Sequence, residues 1–457
     1  MNSNLVDKTA KRGVGYRLFK SYVAFFQNRV FYKKTYWLNT ENIPEEVPLM
    51  IVSNHQNCLA DALAMLMSIP NRKHRKLRIL SRADVFKPAF AKALRWLGIL
   101  PAFRMEYDGA ENVANNSVTF EEAENELLNH GTVIIYPEAG HQDKRWLGFF
   151  SYGYLRMMFE TARKSNFEKE LYVLPSCNHY SEYFNMRSEV LVKFGKPIAL
   201  KPFYELYQTK PRTAQRQVNA LVREQISELM LNITDLENYD TIDFLRETYG
   251  VGEAKRMGFD PQKLPEKLES DQRFFAKLEA AKEKEPASVQ TIYDEAEKLR
   301  KAEKAYNIHD NDFDNAPSLL SLIGWGLLLL LGFPLFLAAY IPNLLIYWLP
   351  EMINRKVIND RMFYSTIKIG SMVLITVPIT YTLLFVFTYL WSKNILIAAL
   401  VLFVMPFLGI FAWNFWIASK RWLQKVRFIS LRRQGKLSDL YVWRASVYES
   451  LNKLLKK

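Results

Sequence analysis

Between residues 317 and 419 the chain runs through long uncharged stretches, whereas the preceding hundred residues are crowded with Glu and Lys. The mean hydropathy of -0.13 averages over these two halves, which call for different solvents. The apolar stretches are residues 317–350, 363–391 and 395–417. A helix needs about 20 apolar residues to cross the hydrocarbon of a bilayer, and the second and third stretches each meet that length once. The first, interrupted by Pro334 and Pro342, is long for one span and short for two. Arg355, Lys356 and Arg361 follow the first stretch and a basic run over 420–427 follows the third, while only Lys393 separates the second from the third. Basic loops stay on the cytoplasmic side. The first stretch is therefore expected to be a Pro-broken hairpin that enters and leaves on one side, and the other two a spanning pair. The competing reading of each run is a buried helix of a soluble core.

The formal net charge of +14 suits nucleic acid or an anionic membrane surface. The neighbours of the charges favour the membrane. Residues 17–34 mix Arg and Lys with Phe and Tyr, and the basic run at 420–427 directly follows an apolar stretch. No nucleic-acid partner is expected. Cys58 and Cys177 are the two cysteines and form no CxxC pair, which excludes a disulfide scaffold and a Cys-rich zinc site. The first residues lack the apolar core and cleavage site of a secretory signal.

The N-terminal half alternates strands and helices. Residues 12–38 read as one or two amphipathic helices with an aromatic face, the core of a membrane-interface segment over 1–47. A short apolar strand at 49–53 is broken by the polar turn Asn54-His55-Gln56-Asn57, and strong helix formers at 59–68 follow. Strands at 77–80, 132–136, 172–175 and 190–194 and helices at 88–97 and 110–129 continue the pattern. This order predicts an α/β domain with a largely parallel sheet and flanking helices over 48–202. Residues 203–316 turn to charged helix formers and read as a solvated helical connector. The membrane region follows over 317–419, then a basic cytoplasmic tail over 420–457. An integral membrane protein with its α/β domain facing the cytoplasm results.

Four blocks carry chemistry. His55 stands in the turn after the strand, six positions before Asp61. On one helix these positions are about 240° apart, so they meet only if His55 lies in the turn and Asp61 in the helix beside it. Asp61 then accepts a hydrogen bond from one imidazole nitrogen and leaves the other to take a proton. On its own the pair also fits a hydrogen-bonded core histidine. Arg104 closes an apolar stretch from Gly98 and offers a planar fork for a phosphate, or a surface salt bridge. Tyr136-Pro137-Glu138-Ala139-Gly140-His141 follows a buried strand, where open α/β sheets bind ligands. Val173-Leu174-Pro175 would supply an apolar wall.

In order and spacing these blocks resemble the glycerophosphate acyltransferases, the family of glycerol-3-phosphate and lysophosphatidate acyltransferases. The resemblance covers residues 48–202. It implies His55 as general base, Asp61 as the residue that orients it, and Asn54 beside them as a substrate-binding residue. It also implies Arg104 as a phosphate ligand, and Glu138, Gly140 and His141 as acceptor-binding residues. Ala139 and His141 depart from the family pattern, where a Gly and a hydroxyl residue stand. Five residues separate His55 from Asp61 in place of the commoner four, and this spacing, with the long membrane region, resembles the fungal-type glycerol-3-phosphate branch.

The implied reaction moves a fatty acyl group from acyl-CoA or acyl carrier protein to a hydroxyl of glycerol 3-phosphate, with membrane lipid around it. No metal and no resident cofactor are expected. A lysophosphatidate or other lyso-lipid acceptor is the alternative. Transfer is direct, with a backbone amide near the turn to steady the oxyanion. Cys58 offers an acyl-enzyme route, but no base neighbours it in sequence. Two other classes remain. A metal-dependent hydrolase would use His55, Asp61, Glu138, His141 and His179, which lack a recognised ligand spacing. A non-catalytic lipid-binding protein would retain the fold without the chemistry.

Overall fold

The computed structural model describes residues 13–69, 77–86, 88–103, 116–138, 140 and 143–455. The chain divides into two compact units, Met1–Asn232 with Asp360–Ile369, and Ile233–Asn359 with Gly370–Lys457.

The first unit is a mixed α/β domain. Its strands are β1 (Lys34–Leu38), β2 (Leu49–Ser53), β3 (Leu77–Arg82), β4 (Ile99–Ala102), β5 (Thr132–Ile135), β6 (Tyr172–Tyr180), β7 (Glu189–Phe194) and β8 (Ile198–Ala199). They lie in the order β1-β7-β6-β2-β5-β3-β4, with β8 also beside β6. β2 pairs in parallel with β5 and β6, and β3 pairs in parallel with β4 and β5. β7 and β8 run antiparallel to β6. Parallel neighbours need long crossovers, and helices supply them. The helices are α1 (Val14–Phe25), α2 (Cys58–Ser68), α3 (Pro88–Trp96), α4 (Asn116–Leu128), α5 (Gly153–Lys164), α6 (Tyr204–Thr209) and α7 (Pro211–Leu229).

Burial explains the arrangement. All five residues of β2 are buried, as a central strand covered on both faces requires. Helix α5 places Tyr154, Leu155, Met158, Phe159 and Ala162 in one core with Val52 and Val173 of the sheet and Val218, Val222 and Ile226 of α7. Each large apolar side chain buried there contributes about 1.5–3 kcal/mol. This core therefore continues past residue 202 through α7.

Residues 34–38 correct the helical reading of 12–38. Lys-Thr-Tyr-Trp-Leu is rich in aromatic and β-branched residues, and it forms an edge strand parallel to β7, from Lys34 opposite Glu189 to Leu38 opposite Lys193. Among the described residues, α1 and a wider helical turn at Phe26–Phe31 precede it.

The second unit is helical. It holds α8 (Tyr239–Glu247), α9 (Tyr249–Arg256), α10 (Leu264–Lys284) and α11 (Pro286–Tyr306), then the long α12 (Leu319–Val357). After α13 (Tyr364–Ser371), which begins in the first unit, come α14 (Val377–Ser392), α15 (Ile395–Arg433) and α16 (Ser438–Leu455). Among the described residues, three helical segments are long and apolar enough to cross a membrane: Leu319–Val357, Arg361–Ser392 and Ile395–Arg433. The expected hairpin over 317–350 is instead the single helix α12, with Pro334, Pro342 and Pro350 inside it. Each proline removes one backbone donor, and in an apolar helix the neighbouring turns and helices can absorb that loss without breaking the rod. Residues 420–457, expected as a tail, complete α15 and form α16, whose Leu440, Val447 and Leu451 are buried.

Candidate active site

The central strand β2 ends at Ser53, the chain turns through residues 54–57, and α2 begins at Cys58. Asn54 fastens this turn to β6: its Nδ2 donates to the Asn178 carbonyl at 3.0 Å and its Oδ1 accepts from the Asn178 amide at 2.7 Å. Both polar ends of Asn54 are thus engaged by backbone, and the residue is fully buried.

His55 lies in the turn and Asp61 in the first turn of α2, so the two meet although they are six positions apart. Nδ1 of His55 lies 2.9 Å from Oδ2 of Asp61. The same Oδ2 accepts from the amides of Gln56 and Asn57, each at 2.8 Å. Oδ1 accepts the hydroxyl of Tyr180 at 2.7 Å. Asp61 is fully buried, and these four donors offset the cost of holding a carboxylate there. Burial pushes the Tyr180 phenol far up, and Asp61 beside it adds to the effect, so Tyr180 stays a donor. An aspartate so supplied accepts a hydrogen bond from Nδ1–H of the imidazole, the tautomer that leaves the basic lone pair on Nε2. The His55 ring stacks on Tyr136, centroids 4.6 Å apart, and its side chain keeps 15% exposure.

Glu138 holds the turn from the end of β5. Its Oε1 accepts the His55 amide at 2.8 Å and its Oε2 the Gly148 amide at 2.8 Å. Burial pushes its carboxyl up to about 7, against the lowering effect of those two amides. Gly148 is required by the close approach: a Cβ there would stand 2.7 Å from Oε2 of Glu138.

The amides of this turn are committed. Those of His55, Gln56 and Asn57 serve carboxylates, and that of Ala60 donates to the Asn57 carbonyl. The expectation that an amide of the turn steadies an oxyanion therefore finds none of these four at its disposal. Cys58, next in the chain, takes φ +45°, a left-handed conformation that costs a residue with a Cβ about 1–2 kcal/mol. Burial pushes its thiol well above the ordinary range, with Asp61 and Asp360 adding to the rise. A thiol so held is a poor nucleophile.

The structure thus brings together Asn54, His55, Asp61 and Glu138. Gly140 is exposed. Arg104 and His141 lie outside the described residues. Tyr180, Asn178 and Gly148 escaped the sequence reading, because sheet order alone brings β6 beside the turn. Arg145 did as well: it is buried, donates to the Tyr180 carbonyl at 3.1 Å and sits over the Tyr183 ring at 5.3 Å. Among the described residues, no three or more His, Cys, Asp or Glu side chains gather in a way that could hold a metal ion.

An oriented imidazole at the carboxyl end of a central parallel strand is equipped to take a proton from a hydroxyl. Residues 36–178 match the family described as Acyltransferase. This segment, less than half of the chain, runs from β1 into β6 and contains the whole dyad, and it is an acyltransferase domain. No curated protein matches the chain significantly. Among solved structures, the chain is similar to the crystal structure of the 1-acyl-sn-glycerophosphate (LPA) acyltransferase, PlsC, from Thermotoga maritima. The identity is 17%, the TM-score 0.33, and the similarity covers 47% of this chain and 78% of that one.

Proposed function

We propose that the protein transfers a fatty acyl group from the thioester of acyl-CoA or acyl carrier protein to a hydroxyl of glycerol 3-phosphate at a membrane, its α/β domain on the cytoplasmic side. The observation that carries this reading is the 2.9 Å contact from Nδ1 of His55 to a fully donor-supplied Asp61. Nε2 of His55 takes the hydroxyl proton as the acceptor oxygen attacks the thioester carbonyl. The tetrahedral adduct collapses, the carbon–sulfur bond breaks, and the leaving thiolate recovers the proton from the imidazolium. The chemistry needs neither a metal nor a resident cofactor.

Asp61 orients the base, and Glu138 and Asn54 position the turn that carries it. Arg104 is assigned to the acceptor phosphate, with Gly140 and His141 beside the acceptor. The acceptor assignment rests on the five-residue interval between His55 and Asp61 and on the resemblance to the fungal-type branch. The three apolar helices keep the enzyme at the membrane that receives its product.

The test offers the purified full-length protein one labelled acyl-CoA, and in parallel acyl carrier protein, with each acceptor in turn. Labelled lysophosphatidate from glycerol 3-phosphate supports the proposal. Labelled phosphatidate from lysophosphatidate alone replaces the acceptor with the second family substrate. No product from any acceptor, or equal turnover by the His55→Ala variant, overturns it.

A further inference from the structure

Helix α2 starts without a local side-chain cap. Asn57, at the cap position, makes no such bond; its Nδ2 donates instead to the Tyr183 carbonyl at 2.8 Å. The first amides of a helix lack partners within it, and an uncapped start frays. Here the missing cap comes from 307 positions along the chain: the Leu59 amide donates to Oγ1 of Thr366 at 3.2 Å.

Thr366 belongs to residues 360–369, which pack within the α/β unit. Ser365, fully buried, donates its hydroxyl to the same Tyr183 carbonyl that Asn57 uses, at 2.5 Å. Lys368 donates to the Phe184 carbonyl at 3.1 Å, and Arg361 sits over the Phe184 ring at 5.1 Å. The segment is therefore fastened at four side chains to the loop after β6 and to α2. It is also the first turn or two of the apolar helical segment Arg361–Ser392.

The position it caps is the strained one. Cys58, at φ +45°, lies between Asn57, whose amide serves Asp61, and Leu59, whose amide serves Thr366. A residue with a Cβ stays left-handed only where its surroundings over-determine it. Asp61 fixes the chain before Cys58, and Thr366 fixes it after.

The geometry points to Thr366, supported by Ser365, as a positioning residue for catalysis: the start of the second apolar segment clamps the His55 turn in its working conformation. The active site is then complete only when that segment is seated. This inference rests on the acyl-transfer reading for its consequence, but the clamp itself has a readout independent of activity.

The experiment compares full-length wild type, Thr366→Val, Thr366→Ser and the double variant Thr366→Val with Cys58→Gly, in one detergent or nanodisc preparation. Hydrogen exchange is followed across the whole α/β domain, alongside acyl transfer from acyl-CoA to glycerol 3-phosphate. Thr366→Val is expected to exchange faster over residues 55–60 while β2 and β5 stay protected. Its kcat should fall about tenfold with KM within about twofold, since slight misplacement of a base is costly in rate. Thr366→Ser keeps the hydroxyl and should behave as wild type. Glycine adopts the left-handed conformation without strain, so Cys58→Gly should restore most of the lost rate to Thr366→Val.

Wild-type exchange and turnover in Thr366→Val overturns the clamp. So does loss of protection spread through the sheet, or failure of the glycine to restore the rate. If wild type transfers no acyl group to any acceptor, the functional reading falls, and the exchange at residues 55–60 still decides the clamp.

Discussion

Tyr180 donates its phenolic hydrogen to Oδ1 of Asp61 at 2.7 Å across 119 positions of sequence, and so ties the dyad's carboxylate to the neighbouring strand. The contact engages the second oxygen of a carboxylate whose other oxygen already serves His55, Gln56 and Asn57. Removing a base, its orienter and this outer donor should therefore give graded losses. His55→Ala is expected to lower kcat/KM by about 10²–10⁴-fold, and Asp61→Asn by a similar factor because the amide unsettles the tautomer. Tyr180→Phe removes one bond to a charged acceptor and should cost about tenfold. Initial rates with saturating acyl donor measure all three, and Tyr180→Phe equal to His55→Ala would deny the ordering.

Cys58 is buried beside the dyad, with its thiol raised by burial. Direct transfer predicts that Cys58→Ser keeps most of the activity, and that no acyl group stays covalently bound when the enzyme is quenched in acid during turnover. A labelled protein band after such a quench would refute direct transfer.

Glu138 gives a pH signature. Its folded carboxyl titrates at about 7, above the ordinary 4.5, because burial penalises the charge. Between these values the folded state holds a proton that the unfolded state has released. Its stabilising contribution is therefore full below about 4.5 and is lost as pH rises through about 7, a change on the order of 2–3 kcal/mol. Wild type should lose stability relative to Glu138→Gln across that window. Denaturant unfolding at several pH values reads the difference in slope, and parallel curves would refute it.

Gly148→Ala acts on the same carboxylate by shape. A methyl at Gly148 meets Oε2 of Glu138, so the carboxylate must shift and carry Oε1 away from the His55 amide. The variant is expected to fold and to lose about tenfold in kcat, consistent with a small shift of the base. Stopped or steady-state rates, with circular dichroism as the folding control, test it.

In the apolar bundle, Tyr347 donates its hydroxyl to the Gly409 carbonyl at 2.6 Å, and Tyr381 donates to Oδ1 of Asn343 at 3.0 Å. A Cβ at Gly409 would meet Oη of Tyr347 at 3.1 Å and Oδ1 of Asn343 at 3.2 Å. Gly409→Leu should push α12 from α15 and cost about 1–3 kcal/mol, read as a lower Tm in detergent. An unchanged Tm would place the helices further apart than these contacts require.

The sequence made part of this architecture legible and hid the rest for physical reasons. His55 and Asp61 could be read because a turn followed by a helix start fixes their meeting locally. The place of Glu138 beyond β5 could be read because it follows a buried strand, but its hold on the His55 and Gly148 amides could not. Tyr180, Gly148 and Thr366 could not, because their contacts depend on which strands and segments become neighbours. Residues 34–38 misled because an aromatic stripe beside basic residues suits a membrane-surface helix as well as an edge strand. Pro334 and Pro342 suggested a break in α12, whose neighbouring turns tolerate them.

Helix α15 has 39 residues, about 58 Å of continuous helix with Pro406 inside it, against a hydrocarbon layer of about 30 Å. Beyond its apolar part the same helix seats Phe428 among Leu299, Ile308 and Phe313 of the helical unit. No proline lies between Pro406 and Phe428, and the helix runs on without a break between them. A helix continuous from residue 395 to residue 433 ties the placement of its apolar part to that of the helices packed around Phe428.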